Sequence, residues 1–297
     1  MNRIESLDKI ILGSAQMGLD YGINNIQGQI DFNQSFEILK FAYLNGIKNI
    51  DCAESYGNIH NILGMFKRDN PKYEFNIQTK LSSKSDLKLD SFGRVNKILS
   101  DLRTNKIQTL MFHSYSIYRE SLDRLNDYIK MKDEGLINFI GVSVYRNSEI
   151  KSLIRDKNID LIQIPFNMLD SSKEKVEIIK KAKLNGKIIQ ARSVFLQGLF
   201  FKDINDGSKV VKDLLYELNE LKLISKNNKI SMHEMSLNYV LHHDCIDNII
   251  IGIDNIKQLK KNINSLKKSL SKKIINQINS IKIKNTHYIN PTNWDLT

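Results

Sequence analysis

The chain has 297 residues, 41% of them hydrophobic and 26% charged, with a formal net charge of +11. That composition belongs to a soluble globular protein large enough to bury a full core, and the absence of any apolar run of 18 residues predicts no membrane-spanning helix. Two cysteines, Cys52 and Cys245, are too few for a disulfide framework or a zinc site and suit a reducing, cytoplasmic setting.

In chain order, the opening MNRIESLDKIILGS carries acids early and no small-residue cleavage site, so it does not read as a secretory signal. Short apolar runs then predict strands at 10–14, 49–53, 76–80, 109–113, 139–144, 161–165, 187–193 and 248–253. Most lack polar alternation, as expected of parallel strands covered by helices. Asp31 and Gln34 resemble a capping box ahead of a helix that stops at Gly46. Leu122, Leu125, Ile129 and Leu136 keep helical spacing, as do Ile256, Leu259, Ile263 and Leu266. The gap between the seventh and eighth strands holds two helical segments, 209–225 and 231–243, so one helix is extra there. With three prolines in all and no linker, residues 1–297 read as one α/β domain, a (β/α)₈ TIM barrel, with a doubly wound sheet as the lesser option.

From Asn255 to Pro291 lie nine lysines (257, 260, 261, 267, 268, 272, 273, 282 and 284) and no acid. Without arginine or interleaved aromatics to read or stack on bases, the tract reads as a solvated helical face rather than a nucleic-acid surface. His242, His243 and Cys245 do not make a convincing metal site, and no Gly-x-Gly-x-x-Gly phosphate loop is present.

Barrels of this kind build active sites at the C-terminal ends of their strands. Asp51 ends the second predicted strand, Tyr56 follows on the next loop, Lys80 ends the third and His113 the fourth. Each alone has a plain structural explanation as a cap, an anchor, a solvent-bound cation or a core histidine. Together they suit proton transfer. A free phenol titrates near ~10, too high for an efficient acid at neutral pH. An adjacent ammonium on Lys80 is expected to lower it, and Asp51 to hold that ammonium in place. His113 is expected to orient a substrate oxygen beside the phenol.

The ordered set Asp-x4-Tyr-Gly, strand-end Lys and strand-end His resembles the aldo-keto reductase family. So do ILGSAQMG, GVSVY, QIPFN, ARSVFLQGL and IIIGIDNIKQLKKNI as its first, fifth, sixth, seventh and eighth strands. The resemblance implies an NADP(H)- or NAD(H)-dependent reductase of a small-molecule aldehyde or ketone, with no nucleic-acid or membrane partner. Tyr56 would be the general acid, Lys80 and Asp51 its tuning pair, and His113 the carbonyl-orienting group. Ser143 and Gln163 would hold the nicotinamide carboxamide, with the backbone of Gly13, Ser14 and Ala15 beside the ring. Ser193, Phe195 and Gln197 would wrap the pyrophosphate, and Gly252, Gln258 and Asn262 would meet the adenosine end. Arg192 stands where the family commonly has an aromatic residue, and can stack its guanidinium plane or reach an anionic substrate. Val144 stands where the family usually has Asn. Asp254 lies where a basic residue often meets the 2′-phosphate, with Lys257 and Lys261 one turn on. Asp20 and Tyr21 after the first strand are candidate substrate contacts, as is Trp294 in a C-terminal segment expected over the pocket. SVFLQGL resembles a branch met beside surface-polysaccharide genes, which implies a keto-sugar or nucleotide-sugar-like substrate, and Arg192 with the basic tract suits an anionic or phosphorylated one. A cofactor-binding regulatory or redox-sensing subunit with little turnover is the alternative, since some family members serve so.

Overall fold

Eight short strands pair edge to edge in chain order, and the last returns to the first. In the computed structural model, which describes residues 7–82, 89–266 and 269–294, these are β1 (Ile10–Gly13), β2 (Asn49–Asp51), β3 (Asn76–Leu81), β4 (Ile107–Phe112), β5 (Ile137–Ser143), β6 (Leu161–Pro165), β7 (Ile188–Arg192) and β8 (Asn248–Gly252). All pairings are parallel and the sheet closes as a barrel, β1 lying against both β2 and β8. Helices connect the strands, so the expected TIM barrel is what forms.

Most strands end one or two residues before the boundary read from the sequence, because the chain turns outward at the rim. The ladder continues there as single bonds: Cys52 N–H donates to Gln78 O at 2.9 Å, and His113 N–H to Leu81 O at 3.1 Å. These bonds tie the strand-end residues to the barrel even after the strand itself has stopped. In the helix Phe32–Leu44, the Asp31 carboxylate accepts from Gln34 N–H at 2.9 Å, and the chain then leaves through Gly46 at φ +94°.

Between β7 and β8 the expected first segment divides at the buried Leu214 into Lys209–Asp213 and Leu215–Asn227, followed by Met232–Leu241. The basic tract forms helices Ile256–Ser265 and Lys272–Asn279. Their Leu259, Ile263, Ile274, Ile275 and Ile278 are buried, while Lys257, Lys260, Lys261, Lys272 and Lys273 face solvent. Each buried aliphatic side chain stabilises this docking by about 1.5–3 kcal/mol. Lys267 and Lys268 lie outside the described residues. The C-terminal segment is held by Glu217, a buried residue whose Oε1 accepts from Lys284 N–H at 2.7 Å. From there the chain runs back over the C-terminal rim. No described helix is long and apolar enough to cross a membrane.

Candidate active site

Strand register decides which side chains share the top of the barrel. Asp51 pairs with Gln78 across β2–β3, Ser143 with Gln163 across β5–β6, and Gln163 with Gln190 across β6–β7. Side chains two apart on a strand share a face, so Gln78 and Lys80 point the same way, as do Gln190 and Arg192. The result is a polar layer inside the barrel.

At its centre is the Asp51–Lys80 pair, 3% and 1% exposed. Lys80 Nζ donates to Asp51 Oδ1 at 2.6 Å and Oδ2 at 2.5 Å. Asp51 Oδ1 also accepts from Gln78 Nε2 at 2.7 Å and Gln163 Nε2 at 3.0 Å. Gln78 and Gln190 exchange amide bonds at 3.0 and 2.9 Å across the barrel. Buried charges persist only when paired and fully hydrogen-bonded. Here the ammonium and two amides meet that requirement.

Tyr56 rises beside this pair, with Lys80 Nζ 5.3 Å from its ring centroid. The His113 ring meets it edge-on at 5.8 Å, and His113 Nδ1 shares a 3.2 Å hydrogen bond with Ser55 Oγ. The four residues read from the sequence therefore converge. The electrostatics differ from the expectation in one respect. Burial, then the Asp51 carboxylate, pushes the Tyr56 phenol up, and the cation that pulls it down is Arg192. The Lys80 charge is already balanced by the carboxylate it contacts. Burial, then the Lys80 ammonium, pushes His113 down to about 4, so it is neutral at pH 7 and presents an imidazole N–H or lone pair rather than a charge.

A glycine contact positions the phenol. The short helix Ala15–Gly18 lies against the turn carrying Tyr56, and a Cβ on Gly18 would overlap the Tyr56 carbonyl oxygen. Gly57, at φ +55°, faces Gly18 from the other side. Only glycine permits that approach.

Around this centre is a cleft of about 370 Å³. Its walls include Gly13, Ser14, Ala15, Tyr21, Ser143, Gln163, Arg192, Ser193, Phe195, Gln197, Gly252 and Gln258, all expected from the sequence. Ser14 is fixed by its Oγ and N–H, which both donate to Asp51 O, at 2.8 and 3.0 Å. After β7 the backbone takes left-handed values at Ser193, Leu196, Gln197 and Gly198, folding the turn tightly over the rim. The cleft leads past Asn24, Phe201 and Gln258 into a second of about 680 Å³, whose walls carry Lys222, Lys226, Lys257 and Lys261.

Three expected contacts lie elsewhere. Trp294 is buried with the core and donates from Nε1 to Tyr288 O at 2.7 Å; the tail reaches the cleft through Pro291 and Thr292 instead. Asp20 is exposed outside the cleft lining, and Asn262 is buried behind it. Sequence reading passed over Gln16, Tyr145, Gln78 and Gln190. For Gln190 a signal existed: a lone polar residue two positions before Arg192 in an otherwise apolar strand.

The sequence profile of the aldo/keto reductase family matches residues 9–283. The chain belongs to that family. It is 25% identical over 275 residues to the uncharacterized oxidoreductase YqkF of Bacillus subtilis, covering 85% of this chain and 89% of that one. It is 22% identical to the NADH-specific methylglyoxal reductase of Escherichia coli, covering 82% and 86%. Among solved structures, an aldo-keto reductase from Bacillus halodurans in its holo form superposes with a TM-score of 0.76 at 20% identity over 95% of each chain, a likeness of fold. This aldo/keto reductase family member is thus an oxidoreductase of the class that acts on small-molecule carbonyl compounds. Among its described residues, no group of three or more His, Cys, Asp or Glu side chains could hold a metal ion. The Cys52 thiol, pushed up to about 12 by burial, is unsuited to act as a nucleophile.

Proposed function

We propose that the protein reduces an aldehyde or ketone to an alcohol using a nicotinamide dinucleotide, with Tyr56 as general acid. The observation that carries this reading is the convergence of Tyr56, the Asp51–Lys80 pair and His113 on one cleft. The cleft walls suit such a cofactor. Gln163 Oε1 and Gln16 Oε1 are buried acceptors without a partner among the described residues, and both line the cleft, where an amide N–H₂ would satisfy them. Gly252 keeps the wall low: a Cβ there would sit 2.8 Å from Gln16 Nε2. Ser143 and Gln163 would hold the carboxamide, and Ser193, Phe195 and Gln197 the pyrophosphate. When bound, the cofactor supplies the hydride that goes to the carbonyl carbon.

The chain's own residues handle the oxygen. Tyr56, held protonated through neutral pH, gives its proton to the carbonyl oxygen as negative charge develops there. The phenolate left behind lies in the field of the Arg192 guanidinium, whose positive charge stabilises it. His113, neutral and anchored through Ser55, hydrogen-bonds the carbonyl and sets its approach. Tyr21, Tyr145 and the tail residues Pro291 and Thr292 complete the pocket wall around this group.

The preferred cofactor in this reading is NADP(H). Asp254, which stands where a basic residue often meets the 2′-phosphate, is engaged by Gln258 through bonds of 2.8 and 2.9 Å. Four lysines meanwhile line the adjoining cleft and match a 2′-phosphate. Steady-state assays of wild type and Tyr56→Phe, with NADPH and NADH over a carbonyl panel that includes keto-sugars, test both points. The variant is expected to lose turnover by about 10²–10⁴-fold, the range for a positioned acid, while still binding the cofactor. A Tyr56→Phe protein that keeps most of its turnover would overturn the assignment. Cofactor binding without turnover of any carbonyl would instead favour a regulatory subunit.

A further inference from the structure

Arg192 is the cation in the cleft whose charge the described residues leave unbalanced. Lys80 is matched by Asp51. No carboxylate lies within ion-pair distance of the Arg192 guanidinium among the described residues. Its three hydrogen bonds, each 3.3 Å long, go to neutral acceptors: Nε to Ser143 Oγ, one terminal nitrogen to Ser193 Oγ and the other to Val144 O. A guanidinium carries five N–H donors, so these bonds leave others free. The side chain is also directed. It starts on β7 but reaches across β6 to the end of β5, and its guanidinium carbon lies 4.2 Å from the Tyr145 ring centroid. Tyr145 thus acts as a shelf that holds the planar group. This carries the charge toward the side of the rim where Tyr56 and His113 stand and away from Gly252 at the end of β8 and Asp254 just beyond it. Its field acts on Tyr56, His113 and Tyr21, and also on the buried Lys175.

We propose that Arg192, shelved on Tyr145 and tied to the end of β5, receives an oxyanion carried by the carbonyl substrate, making this a reductase of carboxylated or phosphorylated aldehydes or ketones. This deepens the function proposed above and rests on it for the reaction, but not for the anion site. Arginine suits the task because its planar fork matches carboxylate and phosphate geometry and stays charged at every working pH. The neighbouring Ser143 and Ser193 hydroxyls keep the fork in place without neutralising it. A hydrophobic aldehyde would leave that charge in a partly desolvated pocket with no partner, at a cost in affinity. The anion therefore gives selectivity as well as binding.

The test pairs substrates that differ only in charge: succinic semialdehyde against butanal, and glyceraldehyde 3-phosphate against glyceraldehyde. The charged member of at least one pair should have the higher kcat/KM in the wild type. In Arg192→Gln the charged-to-neutral ratio should fall about tenfold to a hundredfold, through KM of the charged member, as expected for loss of a charge-assisted hydrogen bond. The pair that responds tells carboxylate from phosphate. Equal ratios in wild type and variant would overturn the proposal, as would a loss confined to cofactor affinity, which would give Arg192 to the pyrophosphate. Calorimetric titration of succinate and inorganic phosphate into the wild-type protein needs no turnover. Binding of either probe at the site, read as competition with the charged aldehyde or as loss in Arg192→Gln, supports the anion site even if no carbonyl is reduced. Absence of binding by both refutes it even if the reductase is active.

Discussion

Lys80→Met removes the ammonium from the polar layer while keeping most of the side-chain stem. In the wild type, Asp51 and Lys80 are 3% and 1% exposed and in contact at 2.5–2.6 Å. Deleting one partner of such a pair leaves an uncompensated buried charge and typically costs about 3–5 kcal/mol. Asp51 would retain the amides of Gln78 at 2.7 Å and Gln163 at 3.0 Å, which moderates the penalty. The expected loss is therefore about 3 kcal/mol, at the lower end of that range. At about 2–4 °C per kcal/mol in domains of this order of size, the melting temperature should fall by about 6–12 °C. Urea denaturation should show the same loss as a lower midpoint at unchanged slope. Two companion results identify the cause. An unpaired buried carboxylate is relieved by taking up a proton, so the deficit should be larger at pH 8 than at pH 5. Adding Asp51→Asn to Lys80→Met removes the stranded charge and should recover most of the loss. A deficit below about 1 kcal/mol, the worth of a surface pair, and independent of pH would refute the buried-pair reasoning.

Two further outcomes follow from the geometry. Gly18→Ala places a methyl group onto the Tyr56 carbonyl oxygen, so the turn carrying the phenol must shift. Because a displacement of about 1 Å near the chemistry can cost roughly 10²-fold in rate, kcat should fall well before cofactor affinity does, and unaltered kinetics would show that the turn yields freely. His113, His233 and His243 are all pushed down to about 4, burial being the largest cause in each. Unfolded histidines titrate near ~6.5, so between these values the unfolded chain binds more protons and the native state is penalised as the solution is acidified. The stability they contribute is present above about pH 6.5 and is lost as pH falls toward 4, so urea midpoints at pH 7, 5.5 and 4.5 should decrease in that order. A flat series would mean that these rings are solvated.

Much of this protein was legible in its residues because the information is local. A strand buried on both faces must be an apolar run, a helix must repeat its apolar residues every three or four positions, and Gly46 must supply the positive φ that ends one. Those patterns gave all eight strands and the barrel. Once the barrel is granted, Asp51, Tyr56, Lys80 and His113 are placed together by one rule, since every strand delivers its C-terminal end to the same rim.

What needed the tertiary structure were distances between residues far apart in the chain. Gln78 meets Gln190 because β3 and β7 face each other across the barrel. Nothing in either strand alone announces the partner. Arg192 leans onto Tyr145 because β5 and β7 flank β6 in the closed barrel, which brings the ends of the two strands within reach of one long side chain. Trp294 resembled a pocket residue on account of its size and terminal position, yet packing drew it into the core and left the cleft wall to Pro291 and Thr292. Asp20 and Asn262 lie within a few residues of lining positions, but one points outward and the other is covered. The charge balance was decided in the same way. The sequence supplies a lysine and an arginine to the cleft, and only their surroundings show that the first is neutralised where it stands while the second is not. Periodicity and chain order are properties of neighbours along the backbone. Pairing, burial and field are properties of neighbours in space, and they exist only after the barrel has closed.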